Sequence, residues 1–120
     1  MVARTLVVLL LLGIAASPAG ACGILERADP KVGSQTHGPL TRIRLTFSEA
    51  IVPSASNITL ADDAGAAVKA KDFSLSSGDA VITLPLTAPL PPGHYNVHWQ
   101  ALWKDCGSQT EGHYGFTVVP

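Results

Sequence analysis

Hydrophobic and polar positions alternate with a period of two along much of this chain, most clearly from His94 to Ala101. Tyr95, Val97, Trp99 and Ala101 fall on one face and His94, Asn96, His98 and Gln100 on the other. That is the pattern of a half-buried antiparallel strand, and Pro91-Pro92-Gly93 supplies the turn that launches it. Arg42 to Ser48 alternates in the same way, with Ile43, Leu45 and Phe47 inward and Arg42, Arg44 and Thr46 outward. Ile24 to Ala28 predicts a short first strand, closed by Asp29-Pro30 and a Gly33-Ser34 turn. His37-Gly38-Pro39 reads as a loop, and Pro53 to Ser56 as an edge or crossing segment. Ile58 to Leu60 predicts a strand ending in the turn Asp62-Asp63-Ala64-Gly65. Ala67 to Lys71 and Phe73 to Leu75 read as two more, before the turn Ser76-Ser77-Gly78-Asp79. Val81 to Leu84 is a buried strand, Pro85 to Pro92 a proline-rich connection, and Tyr114 to Val118 the closing strand.

Short strands, turn signals every roughly 8–12 residues and no helical period predict an all-β fold, a Greek-key β-sandwich or barrel of immunoglobulin-like kind. Leu90-x-Pro92-Gly93-x-Tyr95 looks like a tyrosine corner, in which the phenol bonds back to nearby backbone.

The amino-terminal stretch follows a different rule. Arg4 precedes an apolar run from Leu6 to Ala16, Ser17-Pro18 breaks it, and Ala19-Gly20-Ala21 has the small-residue pattern of a cleavage site. Residues 1–21 therefore read as a secretory signal peptide, the apolar run being too short to span a bilayer. Residues 22–120 form one domain, and no later apolar run is long enough for a membrane span. Cleavage after Ala21 would make Cys22 the first residue of the exported chain. A lipid anchor at Cys22 is the second reading of that position, although Ala19 stands where lipoprotein signals usually carry Leu. The net charge is −1 with no Lys/Arg cluster, which argues against a nucleic-acid partner. Two cysteines in an exported chain suggest one disulfide, because that compartment is oxidising.

Taken in order, these elements resemble the CopC family of periplasmic copper-resistance proteins. The resemblance is carried by Leu25 through Asp29-Pro30 and Gly33, by Leu45-Thr46-Phe47-Ser48-Glu49, and by Ile58-x-Leu60 leading to Asp63-x-Gly65. It continues through Leu90-x-Pro92-Gly93-x-Tyr95-x-Val97-x-Trp99 and ends at Gly112-x-Tyr114-x-Phe116-x-Val118. It implies a cupredoxin-like β-barrel that binds copper in the periplasm without catalysis, with copper ion and a separate copper-transport or membrane protein as partners. The family's Cu(II) site uses a histidine straight after signal cleavage, and an Asp-x-His pair before the last strand. Imidazole, amine and carboxylate suit tetragonal Cu(II). Here the first position is Cys22, and anchoring on Gly112 puts Cys106 and Ser108 where the family has Asp and His; a shift of one residue puts Asp105 on the Asp position but Gly107 on the His position, and either way the N,O ligand set is gone. The only methionine is Met1, so a methionine-rich Cu(I) site is excluded as well.

The resemblance places positions 22 and 106 side by side, as two ligands of one ion. It implies a Cys22–Cys106 disulfide where the family keeps copper. The alternative keeps the metal: in the reduced chain, Cys22 and Cys106 with His113 would form a thiolate site selective for Cu(I). Two functions follow. One is a copper-binding, copper-resistance protein with an atypical site; the other is a non-metal β-sandwich binding or structural module locked by the disulfide. His94 and His98 lie ~13 Å apart at ~3.3 Å per residue, too far to hold one ion unaided, and read as solvent-facing. No nucleophile elbow, phosphate loop or C-x-x-C motif is present in the sequence, and the chain reads as non-catalytic.

Overall fold

The computed structural model of the chain describes residues 22–120; the signal-peptide reading falls on residues 1–21, outside the described residues. Eight strands and one 3-10 turn form two four-stranded sheets. The strands are β1 (Leu25–Asp29), β2 (Gln35–His37), β3 (Arg42–Phe47), β4 (Asn57–Asp62), β5 (Ser74–Ser76), β6 (Val81–Pro85), β7 (Gly93–Leu102) and β8 (Gln109–Val119). One sheet runs β1-β3-β6-β5 and the other β2-β8-β7-β4. Every pairing is antiparallel except β2 with β8. The architecture is the Greek-key β-sandwich that the alternation predicts.

Its core is made by the inward sets. Ile43, Leu45 and Phe47 of β3 meet Tyr95, Val97, Trp99 and Ala101 of β7, all of them buried. Phe47 links the layers: its ring stands edge-on to Trp99 at 5.1 Å and to Trp103 at 5.6 Å between centroids. Such edge contacts add about 0.5–1.5 kcal/mol each beyond the area they bury. The tyrosine corner is present, with the Tyr95 hydroxyl donating to the Pro91 carbonyl oxygen at 2.7 Å.

Four segments differ from the sequence-based expectation. The closing strand begins at Gln109, five residues before Tyr114, because Gly112 is a strand position and not a break. A Cβ on Gly112 would stand 2.6 Å from Trp99 Cζ2, so the bare backbone makes room for the indole opposite it. His37 ends β2 instead of lying in a loop, since the parallel pairing with β8 gives that stretch a ladder that its own pattern does not announce. Ala67 to Lys71 is not a strand: only the isolated bridges Ala61↔Ala67 and Ala70↔Leu86 form there. Pro53 to Ala55 is a 3-10 turn with its proline at the start, where the missing N–H is of no consequence.

Two phenols respond differently to burial. Tyr95 has its hydrogen bond, whereas the buried Tyr114 hydroxyl has no hydrogen-bond partner among the described residues. Burial pushes both ionisations up, with Asp62 adding to the effect at Tyr95 and Asp29 at Tyr114. Tyr95→Phe is expected to lower stability by about 1 kcal/mol, while Tyr114→Phe is close to neutral because it removes a hydroxyl that has no hydrogen-bond partner among the described residues; urea unfolding of both variants checks the contrast. Above pH ~10 the unfolded chain loses phenolic protons that the fold retains. The native state then binds more protons, so stability falls as pH rises through that range. Urea midpoints measured from pH 8 to 11 should decline, and less steeply in Tyr114→Phe.

Candidate functional site

The end of the sandwich that carries both cysteines is built on Trp103. This residue follows β7, is fully buried, and anchors the β7–β8 turn through three hydrogen bonds. Its backbone N–H donates to Ser108 O, its carbonyl accepts from Gly107 N, and its indole Nε1 donates to Thr110 Oγ1 at 2.9 Å. Gly107 turns the chain with φ of 72°, a conformation that favours glycine.

The amino-terminal segment lies across this turn. Gly23 is buried against the Trp103 ring, where a Cβ would come within 2.6 Å of Cζ3. Only a residue without a side chain lets the backbone pass so close. Ile24 N donates to Ser48 Oγ and Ser48 N to Ile24 O, both at 2.9 Å, so the segment is fixed to the end of β3 before β1 begins. The turn is held from a second side by Lys104, whose N–H donates to Ala50 O and whose Nζ meets Asp79 Oδ2 at 2.9 Å.

These contacts bring Cys22 beside Cys106, and the two are joined as a disulfide with their Cα atoms 6.3 Å apart. That separation is inside the usual ~4.4–6.8 Å window for a bridge. Both residues are exposed at the rim, and Cys106 Sγ lies 3.2 Å from Ser108 Oγ. A sulfur bonded to Cys106 cannot also carry a thioether to lipid. In this state neither sulfur is a thiolate, so the pair does not fit a metal ion as it stands. Among the described residues no three His, Cys, Asp or Glu side chains are grouped to hold one.

His113 is placed elsewhere. It sits on the outer face of β8 directly opposite His98 of β7, four residues beyond Gln109 and so ~13 Å along the strand from the turn. The sequence pattern of neither strand reveals this pairing, because it depends on the β7–β8 register. His98 Nε2 in turn lies 3.1 Å from Glu111 Oε1, and His94 Nδ1 lies 3.2 Å from Thr117 Oγ1. Among the described residues no helix is long and apolar enough to cross a membrane.

Comparison with known proteins now bears on this geometry. The model of the CopC domain family matches residues 25–119. Among solved structures, PcoC from Escherichia coli, described as a methionine-rich copper resistance protein, superposes with a TM-score of 0.72 at 28% identity, over 82% of this chain and 99% of that one. CopC from Methylosinus trichosporium OB3b superposes with a TM-score of 0.72 at 29% identity, over 82% of this chain and 94% of that one. Comparison with curated sequences gives no match. With the fold and the family model in agreement over nearly all the described residues, the chain belongs to the CopC domain family.

Proposed function

We propose that the exported chain is a non-catalytic, periplasmic copper-handling protein of copper resistance, whose copper site is a cysteine pair governed by redox state. One observation carries the reading: Cys22 and Cys106 are brought together at the end of a CopC-type sandwich. Oxidised, the pair is a closed disulfide. A dithiol reductant delivers two electrons and two protons, opening the bond to two thiols. Their loss of two protons on meeting Cu(I) gives a bis-thiolate site, for which soft sulfur ligands are selective. The fold supports such a site because the segment 22–24 and the 103–108 turn are each fixed by backbone bonds that do not involve sulfur. His113 is not required by a two-coordinate Cu(I) ion. A copper-transport or membrane protein would receive or supply the ion.

The bond itself favours a second reading, in which the disulfide is a permanent staple and the chain a binding or structural module without metal. The bridge spans 84 residues, so it removes nearly the whole loop-closure entropy of the unfolded domain. The chain-entropy model puts that at about 4–5 kcal/mol.

Two measurements separate these readings. Reduced mature protein, challenged anaerobically with Cu(I) held by a competing chelator, is expected to take up one ion per chain. Oxidised protein and the variants Cys22→Ser and Cys106→Ser should fail to withdraw it. Equal uptake by the oxidised form or by the double serine variant would remove the thiolate site. In urea unfolding, reduction or Cys22→Ser should lower stability by several kcal/mol. A change below about 0.5 kcal/mol would show that the bridge contributes nothing to the fold.

A further inference from the structure

All four histidines of the chain lie on the outer face of the β2-β8-β7-β4 sheet: His37 on β2, His94 and His98 on β7, His113 on β8. No strand of that sheet contains a lysine or arginine. The three arginines of the described residues, Arg27, Arg42 and Arg44, are on β1 and β3 of the other sheet. The strands of that face are thus rich in imidazole and carry no side-chain cation of lysine or arginine.

Within that face, His98 and His113 are a direct cross-strand pair. Residues opposed in this way on an antiparallel ladder hold their Cβ atoms roughly 4.5–5.5 Å apart, so two imidazoles on the same side fall within reach of one ion. Both residues are exposed. Their surroundings are prepared in two ways. Glu111, diagonal to His98, meets His98 Nε2 at 3.1 Å. A carboxylate accepts there, so in the neutral imidazole the proton sits on Nε2 and Nδ1 carries the lone pair. Metal-bound imidazoles are commonly held in just this manner, the second nitrogen donating to a carboxylate. Gly115, the next outward position on β8, bears no side chain to crowd His113; the ring of His94 leans over it, its Nε2 2.9 Å from where a Cβ would be. His113 itself makes no hydrogen bond or ion pair among the described residues.

We propose that His98 and His113 form a surface binding site for a divalent first-row transition ion, Cu(II) foremost, with Glu111 holding His98 in its ligating orientation. The two imidazoles are the protein ligands and water completes the coordination. Imidazole suits Cu(II), Ni(II) and Zn(II), and Cu(II) binds most tightly of the divalent series. The site uses neither cysteine. It goes beyond the copper(I) reading above and stands or falls separately from it.

The test uses mature protein with the disulfide intact, titrated with Cu(II) in a non-chelating buffer and followed by calorimetry and by paramagnetic broadening of backbone amide resonances. The expected result is one ion per chain, with broadening centred on residues 98 and 113. His98→Gln or His113→Gln should weaken binding at least tenfold, and Glu111→Gln by ~10-fold, while Trp fluorescence shows each variant folded. The Cys22→Ser/Cys106→Ser protein should bind as well as wild type. Unchanged affinity in either histidine variant would overturn the proposal. So would broadening that spares residues 98 and 113, or an equal loss in His37→Gln, which would mark adventitious binding to scattered imidazoles.

Discussion

The bond between Cys22 and Cys106 closes the sandwich at the one end where the ladders do not. β1 lies at the edge of its sheet and pairs only with β3, and the residues before it have no strand to join. What holds them is the turn between β7 and β8, through Trp103. The indole fills the gap between the sheets, Gly23 passes over it, and the disulfide fixes the crossing covalently. Cut that tie and the first segment retains two backbone-directed hydrogen bonds to Ser48 and its packing on Trp103. The covalent tie and the packing that positions it therefore involve the same few residues.

The sandwich has two outer faces, and they differ in the side chains they carry. The β1-β3-β6-β5 face carries all three arginines among the described residues, and the opposite face carries the histidines. The alternation that buries Trp99 and Phe116 also determines that His98 and His113 point outward, since adjacent strand residues face opposite ways. Glycine has a matching role on each side of β8. Gly112 makes room for Trp99 within the core, and Gly115 makes room for His94 on the surface. Both are unusual choices for a strand interior, and both exist because a ring from β7 occupies the space above them.

Much of the fold was legible from period-two patterning alone. Arg42–Phe47 and Gly93–Leu102 form where the alternation is cleanest, and Tyr95 makes the corner bond that its Pro-Gly context announces. The first half of β8 was hidden because Gln109, Glu111 and Gly112 carry no hydrophobic signal; they are a strand by virtue of pairing with β7. His37 joined a ladder for the same reason, and Ala67–Lys71 lacked one despite a passable pattern. The cysteine pairing could not be read from spacing: residues 84 apart meet only through the fold, and it was the family resemblance that set them side by side. The His98–His113 pairing needed the β7–β8 register, which a sequence with a Cys-Gly-Ser turn of irregular length does not fix.

The central claim is that the chain carries its two sulfurs as one covalent pair at the rim of the sandwich. Intact-mass analysis of protein recovered from the exported compartment, with and without alkylation under denaturing conditions, tests it directly. The account predicts a chain beginning at Cys22, two hydrogens lighter than the dithiol, that takes up no alkylating reagent until it is reduced and then takes up two equivalents. Alkylation of either cysteine before reduction, or a lipid-sized mass increment on Cys22, would contradict it.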